Sequence, residues 1–203
     1  MGHASTVSRI TSPAAVLLAT LAVWPAPAAA PPIVLPPRPP LVAHWTFDEV
    51  QGGLCRDASG HGWNATPAPG HPDPGRTRGV FGHALALAGR HHLRASAALP
   101  LVYPAGLSLS AWVKPTDLSG YREIFRKEDG ADRVLFSFQD DGRTLSLGLN
   151  TGRYDECDAA IDPARVSDGQ WHHCAATFDG RWMRVYLDGE EIGRLEQPGR
   201  VRA

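Results

Sequence analysis

The chain is short of cysteine, of net charge and of long apolar runs, and each shortage removes a class of protein. Only three cysteines occur in 203 residues, Cys55, Cys157 and Cys174. None stands in a Cys-x-x-Cys pair, so the usual spacing of a structural zinc site is missing. The formal net charge is −1, and nothing in that balance points to a nucleic-acid partner. No G-x-S-x-G elbow is present, which leaves a Ser-His-Asp hydrolase set without its nucleophile turn. No segment after residue 41 sustains a 3.6-residue apolar stripe, so a helical domain is not indicated. Hydrophobic residues at 43% and charged residues at 20% describe a globular chain, long enough for one domain with its own core.

The N-terminus reads as a leader. Arg9 is the one charged residue before the apolar run "AAVLLATLAV" (Ala14–Val23), and the small residues "APA" (Ala26–Ala28) follow. That is the layout of a secretory signal peptide over 1–28. The run is too short to span a membrane. Cleavage after Ala28 removes Arg9, taking the formal charge from −1 to −2. The mature protein is expected to be secreted or displayed at the cell surface, where cysteines oxidise. An odd count allows at most one bridge within the chain. Next comes "APPIVLPPRPP" over 29–40. Proline fixes φ and lacks an N–H, so this stretch is read as an extended linker. The folded domain is placed at 41–203.

From there the period is two. "LVAHWTF" (Leu41–Phe47) is dense in β-formers. "LSLSAWV" sets Leu107, Leu109, Ala111 and Val113 against Ser108, Ser110 and Trp112. "VLFSF" and "TLSLGLN" place Val134, Phe136 and Phe138, then Leu145, Leu147 and Leu149, on one side, with an Asp141-Gly142 turn between them. Such alternation is the mark of half-buried antiparallel strands. The expected fold is all-β, an antiparallel sandwich.

"WHHCAATFDGRWMRVYLDGEEIG" (Trp171–Gly193) reads as a three-strand meander turned at Asp179-Gly180 and Asp188-Gly189. Neighbouring side chains on a strand point to opposite faces. His172 and His173 therefore do not ligate one ion, and His91-His92 meets the same objection. Cys174 falls on the core side, where a small apolar residue belongs.

Five motifs in order resemble the laminin-G-like jelly roll of concanavalin A-like lectin/glucanase type: "VAHWTFDE" (Val42–Glu49), "DASGHGWNAT" (Asp57–Thr66), "GHALALAG" (Gly82–Gly89), "LSLSAWVKP" (Leu107–Pro115) and the meander. The resemblance covers roughly residues 41–196. It implies a jelly roll and, at the sandwich rim, calcium held by Asp48 and Asp57. The competing role for these two aspartates is to fasten turns. The family usually continues into two further strands that "PGRVRA" does not resemble. The domain is thus expected to lack its last strands and to lose stability through unpaired backbone groups.

The fold class includes glucanases, but a retaining enzyme needs two carboxylates about 5–5.5 Å apart, and no Glu-x-Asp-x-x-Glu strand is present. Asp155, Glu156 and Asp158 of "YDECD" are read as solvated loop charges. Glycan binding needs exposed aromatic faces; Trp63, Tyr121, Tyr154 and Trp182 are the candidates, while Trp45, Trp112 and Trp171 are assigned to the core. Pairing of 153–161 with 171–178 would set Cys157 opposite Cys174, ready for a bridge. The leading expectation is a non-catalytic binding or adhesion module for glycans or extracellular proteins. Alternatives are an accessory or catalytic domain of a glucanase-type hydrolase, and a structural fragment of a larger surface protein. Fold alone decides none of these.

Overall fold

The computed structural model describes residues 41–89, 91–95, 106–129 and 132–202. The expected leader at 1–28 and linker at 29–40 lie outside them. The elements in order are β1 (Ala65–Pro67), β2 (Gly75–Arg78), β3 (His83–Ala86), β4 (Leu93–Ala95), β5 (Leu107–Val113), β6 (Arg122–Asp129), β7 (Asp132–Gln139), β8 (Thr144–Asn150), β9 (Tyr154–Ala160), α1 (Pro163–Val166), β10 (His172–Phe178), β11 (Trp182–Leu187) and β12 (Glu190–Glu196). Eight strands form two antiparallel four-stranded sheets, ordered β12-β11-β10-β5 and β6-β7-β8-β9. Strands β1 and β4, and β2 and β3, make two-stranded ribbons.

The alternation in the sequence becomes the core. Leu107, Phe178 and Met183 form one row across the first sheet, and Leu109, Ala176 and Val185 the next. Facing them from the second sheet are Phe136 and Leu147, then Phe138 and Leu145, with Cys157 and Ala159 at its margin. Fully burying one such large side chain stabilises by about 1.5–3 kcal/mol. Tight turns hold the registers. Asp188 and Gly189 have φ of 52° and 85° between the paired Leu187 and Glu190, the left-handed pair that a two-residue hairpin requires. The short helix α1 starts on Asp162, whose carboxylate accepts the Ala164 N–H at 2.9 Å.

Three expectations are corrected. Residues 41–47 make no strand; their ladder contact is a single bridge, Trp45 to Asp57. "YDECD" is not a loop but lies in β9, whose inward positions are the small residues Cys157 and Ala159. Finally, β9 pairs with β8, while β10 pairs with β5 and β11 in the other sheet. Cys157 sits at the Met183 carbonyl, 3.8 Å away. Cys174 is level with Leu187, four residues or about 13 Å further along. All three cysteines are buried and free.

The sheets approach most closely where β12 crosses β9. A Cβ placed on Gly193 would stand 2.8 Å from the Ala159 Cβ and 3.3 Å from its Cα. Gly193→Ala is therefore expected to destabilise by about 1–3 kcal/mol through overpacking. Combining it with Ala159→Gly should restore most of the loss, read by a double-mutant cycle in urea. Additive costs would show that the contact is not responsible.

Candidate functional site

The two outer sheet faces differ in what their polar groups already do. On the second sheet, Glu123, Ser137, Ser146 and Asp158 form one row on the side away from the core, where Ser137 and Ser146 are themselves fully buried. Arg126, Leu135, Gly148 and Glu156 form the next. Nearly every polar group here has an internal partner. Arg126 bridges Glu123 and Glu128, and Glu128 also takes Arg133. The Arg133 guanidinium lies 5.2 Å from the Tyr154 ring centre. The Tyr154 hydroxyl donates to Glu156 Oε1 at 2.5 Å, and Gln139 Nε2 to Glu156 Oε2 at 3.4 Å. Ser146 Oγ donates to Asp158 Oδ1 at 2.6 Å. The ring of Tyr154 can lie there because position 148 is glycine, where a Cβ would collide with its hydroxyl. Burial, and then the Glu156 carboxylate, raise the Tyr154 pKa above the usual phenol range. Glu156 and Asp158 do share a face, two residues apart on β9, but both are engaged in this closed network. Glu123 stands three strands from Asp158, about 14 Å away.

The outer face of the first sheet is open. Trp112, expected in the core, is 48% exposed there. It pairs across the strands with His173, and their ring centres are 5.1 Å apart. The next row holds Ser110, Ala175 and Tyr186, and the one after it Ser108, Thr177 and Arg184. Small side chains thus floor a shallow surface with Trp112 and His173 at one corner and Tyr186 beside them. Among the described residues, the hydroxyls of Ser108, Ser110, Thr177 and Tyr186 make no hydrogen bond within the protein. Arg184 is held by Asp179 at 2.7 Å and faces Glu191 at 3.7 Å.

The four aromatic candidates do not converge. Trp182 is at the far end of the open face, about 20 Å along the strands from Trp112. The guanidinium groups of Arg181 and Arg194 each lie 5.7 Å from its ring centre. Tyr154 belongs to the closed face. Tyr121, 63% exposed, lies in the β5–β6 connection. Trp63 is half-buried, its carbonyl accepting the Trp45 indole N–H at 2.8 Å; Trp45 and Trp171 are likewise half-buried.

Asp57 is a loop fastener. Its Oδ1 accepts the His44 and Ser59 N–H groups, both at 2.9 Å. Its Oδ2 accepts the Ser59 hydroxyl at 2.7 Å and the Trp63 N–H at 3.0 Å. Burial is the largest single influence and opposes ionisation, but the four donors together outweigh it and hold the carboxyl well below the usual range. Asp48 Oδ1 accepts the His83 N–H at 2.8 Å. Asp57 thus has no lone pair left for an ion, so it does not fit the calcium site that the family resemblance implies, whereas the Asp48 carboxylate is engaged through Oδ1. Burial disfavours the thiolate at the two cysteines of the core. Burial pushes the Cys174 thiol to about 12 and Cys157 to about 11.

Beside the open face sits a clasp that sequence reading missed. His172 Nδ1 is 2.9 Å from Asp188 Oδ2, and its Nε2 is 3.0 Å from Asp168 Oδ1. Carboxylates only accept, so a ring facing one at each nitrogen carries both protons. Burial disfavours that charge, but Asp188 and Asp168 outweigh it and raise the His172 pKa. The signal was Asp-x-x-x-His followed by the Asp-Gly turn.

Two antiparallel sheets packed on a shared apolar core define a β-sandwich of lectin type. Residues 88–203, more than half of the chain, match the laminin G family described as the concanavalin A-like lectin/glucanases superfamily, and the chain belongs to that family. Among solved structures, the binding domain of botulinum neurotoxin DC in complex with rat synaptotagmin II is similar, with a TM-score of 0.51 at 14% identity over 76% of this chain and 39% of that one. Domains LG4-5 of the mouse laminin α1 chain match at a TM-score of 0.39 and 14% identity, over 48% of this chain and 26% of that one. The chain spans less than half the length of either structure, and at 14% identity the likeness to the neurotoxin domain is one of fold.

Proposed function

We propose that this chain is an exported, non-catalytic module that binds glycans on the outer face of the β12-β11-β10-β5 sheet. The observation that carries the reading is the exposed Trp112, set at a tilt against His173 beside uncommitted hydroxyls. The C–H face of a sugar ring packs on an indole, while its hydroxyls need partners nearby. Ser108, Ser110, Thr177 and Tyr186 supply them. The opposite face offers no comparable set, because its polar groups are engaged with one another. Fold alone is compatible with a protein ligand too, since the similar neurotoxin domain is in complex with rat synaptotagmin II. The hydroxyl-lined floor favours a glycan. No helix among the described residues is long and apolar enough to cross a membrane, and export rests on the leader at 1–28.

A glycan array followed by calorimetry tests this. Trp112→Ala should weaken binding by about 5- to 150-fold, taking the roughly 1–3 kcal/mol lost when an aromatic that stacks on a nucleic-acid base is truncated as the guide. Trp182→Ala should change it little. Unaltered affinity in Trp112→Ala, or no glycan bound, overturns the reading. Release of reducing sugar from a bound glycan would instead favour a hydrolase built on Glu156 and Asp158.

A further inference from the structure

Where the β8–β9 turn meets the end of β12, the fold leaves a cavity of about 440 Å³. Thr151, Gly152 and Arg153 line one wall, and Glu196, Gln197 and Pro198 the other. The volume lies toward the small end of ligand pockets, roughly 300–1,000 Å³. Backbone bonds pin both walls. The Thr151 N–H donates to the Arg153 carbonyl at 3.1 Å, and the Gly152 N–H to Asn150 Oδ1 at 2.9 Å. The Gln197 N–H donates to the Arg181 carbonyl at 2.7 Å, and the Gly199 N–H to the Gly180 carbonyl at 3.0 Å. Gln197 is 4% exposed, and its side-chain amide is half satisfied. Nε2 donates to the Arg153 carbonyl on the facing wall at 3.0 Å. A carbonyl only accepts, so it must face the amide nitrogen, and Oε1 is the group left over. Oε1 is buried and has no partner among the described residues. Most buried polar groups are paired, and an unpaired one destabilises the fold.

We propose that this cavity holds a neutral polyhydroxylated ligand, a single sugar ring, with one hydroxyl donating to Gln197 Oε1. The charges on the walls are already balanced. Arg153 Nη2 is 2.7 Å from Asp155 Oδ2, and Arg181 Nη2 is 2.8 Å from Glu196 Oε1. A charged ligand finds no unpaired counter-charge there, whereas a hydroxyl both donates and accepts. Among the described residues, the Thr151 hydroxyl makes no hydrogen bond within the protein. It supplies a second contact of either sense, and Pro198 gives the C–H groups of a ring an apolar surface. This pocket and the Trp112 surface are independent. Glu196 pairs across the strands with Trp182, at the far end of the sheet, about 20 Å from Trp112.

Titration of glucose, galactose and N-acetylglucosamine into the full-length Trp112→Ala chain, followed by ligand-observed NMR, tests the pocket with the open face silenced. The expected result is saturable binding of at least one sugar in the millimolar range or tighter. Gln197→Met, added to that chain, keeps the side-chain length and drops both amide groups. The Arg153 carbonyl retains the Thr151 N–H, so this variant should melt no lower than its parent while sugar binding weakens about fivefold or more. Thr151→Val exchanges a hydroxyl for a methyl and should weaken binding by about 2- to 12-fold. It decides the matter in place of Gln197→Met if the latter melts lower. Affinity unchanged in the deciding variant overturns the proposal. So does the absence of millimolar binding, which leaves water as the partner of Oε1. A sugar that binds the parent chain but not Trp112→Ala sits on the open face, which overturns the pocket and supports the earlier reading.

Discussion

Phe136→Ala should unfold the domain in markedly less urea than the parent. Phe136 lies in the middle of β7, fully buried between Phe125 on β6 and Leu147 on β8. Truncating a buried phenylalanine removes its transfer free energy and leaves a cavity that neighbours fill only in part, a loss of about 3–5 kcal/mol. Domains of this size have about 5–15 kcal/mol in total. One substitution therefore removes about a fifth or more of the stability. Phe136→Leu should cost much less, because most of the volume remains. The midpoint should fall while the denaturant slope stays constant. A change below about 1 kcal/mol would show that the two sheets do not share the tight core described here.

The His172 clasp gives the domain a pH dependence with a defined sign. The folded-state pKa of His172 is raised above its ordinary value of about 6.5. Its stabilisation is thus fully present below that value and is lost as pH rises through the folded pKa. Asp168, through the His172 hydrogen bond, and Asp188, despite its burial, have lowered pKa values. Their contribution is present above about 3.9 and is lost as pH falls through the folded values. The clasp is strongest between these limits, in mildly acidic solution. Arg165 and Glu190 pair across the same corner at 3.1 Å. His172→Gln keeps one hydrogen bond and loses the charge, costing about 1–2 kcal/mol in the acidic window. The gap between parent and variant should shrink as pH climbs above the folded pKa of His172. A gap that does not change with pH would mean that the ring is neutral in the fold.

Much of this was legible because period two maps directly onto faces. Leu107 to Val113, Val134 to Phe138, Leu145 to Leu149 and His172 to Leu187 all became strands with the expected sides inward. The Asp-Gly pairs turned the hairpins. Strand β9 was hidden because acids are depleted from strands and its inward residues, Cys157 and Ala159, are small. The apolar signal there was too weak to outvote "YDECD". Trp112 was misassigned although its parity with Ser108 and Ser110 already placed it outward; size was allowed to override position. The partnership of His172 with Asp168 and Asp188 joins a loop to a turn across a folded corner, and no local pattern encodes that. Strand order was equally invisible, which is why the Cys157–Cys174 bridge failed: a pairing inferred from nearness in sequence put both cysteines in one sheet.

The charges along β6 bear on how many copies of this domain can coexist. Strand β6 closes its sheet on one side among the described residues, and it carries Arg122, Glu123, Arg126, Lys127 and Glu128 with a register irregularity between Glu123 and Phe125. Growth of cross-β fibrils needs a flat, weakly charged margin that another chain can extend. A crowded array of these sandwiches meets the reverse at β6: charges of both signs on a strand with an irregular register. The same ions that neutralise one another on a single molecule thus help keep neighbouring molecules from polymerising.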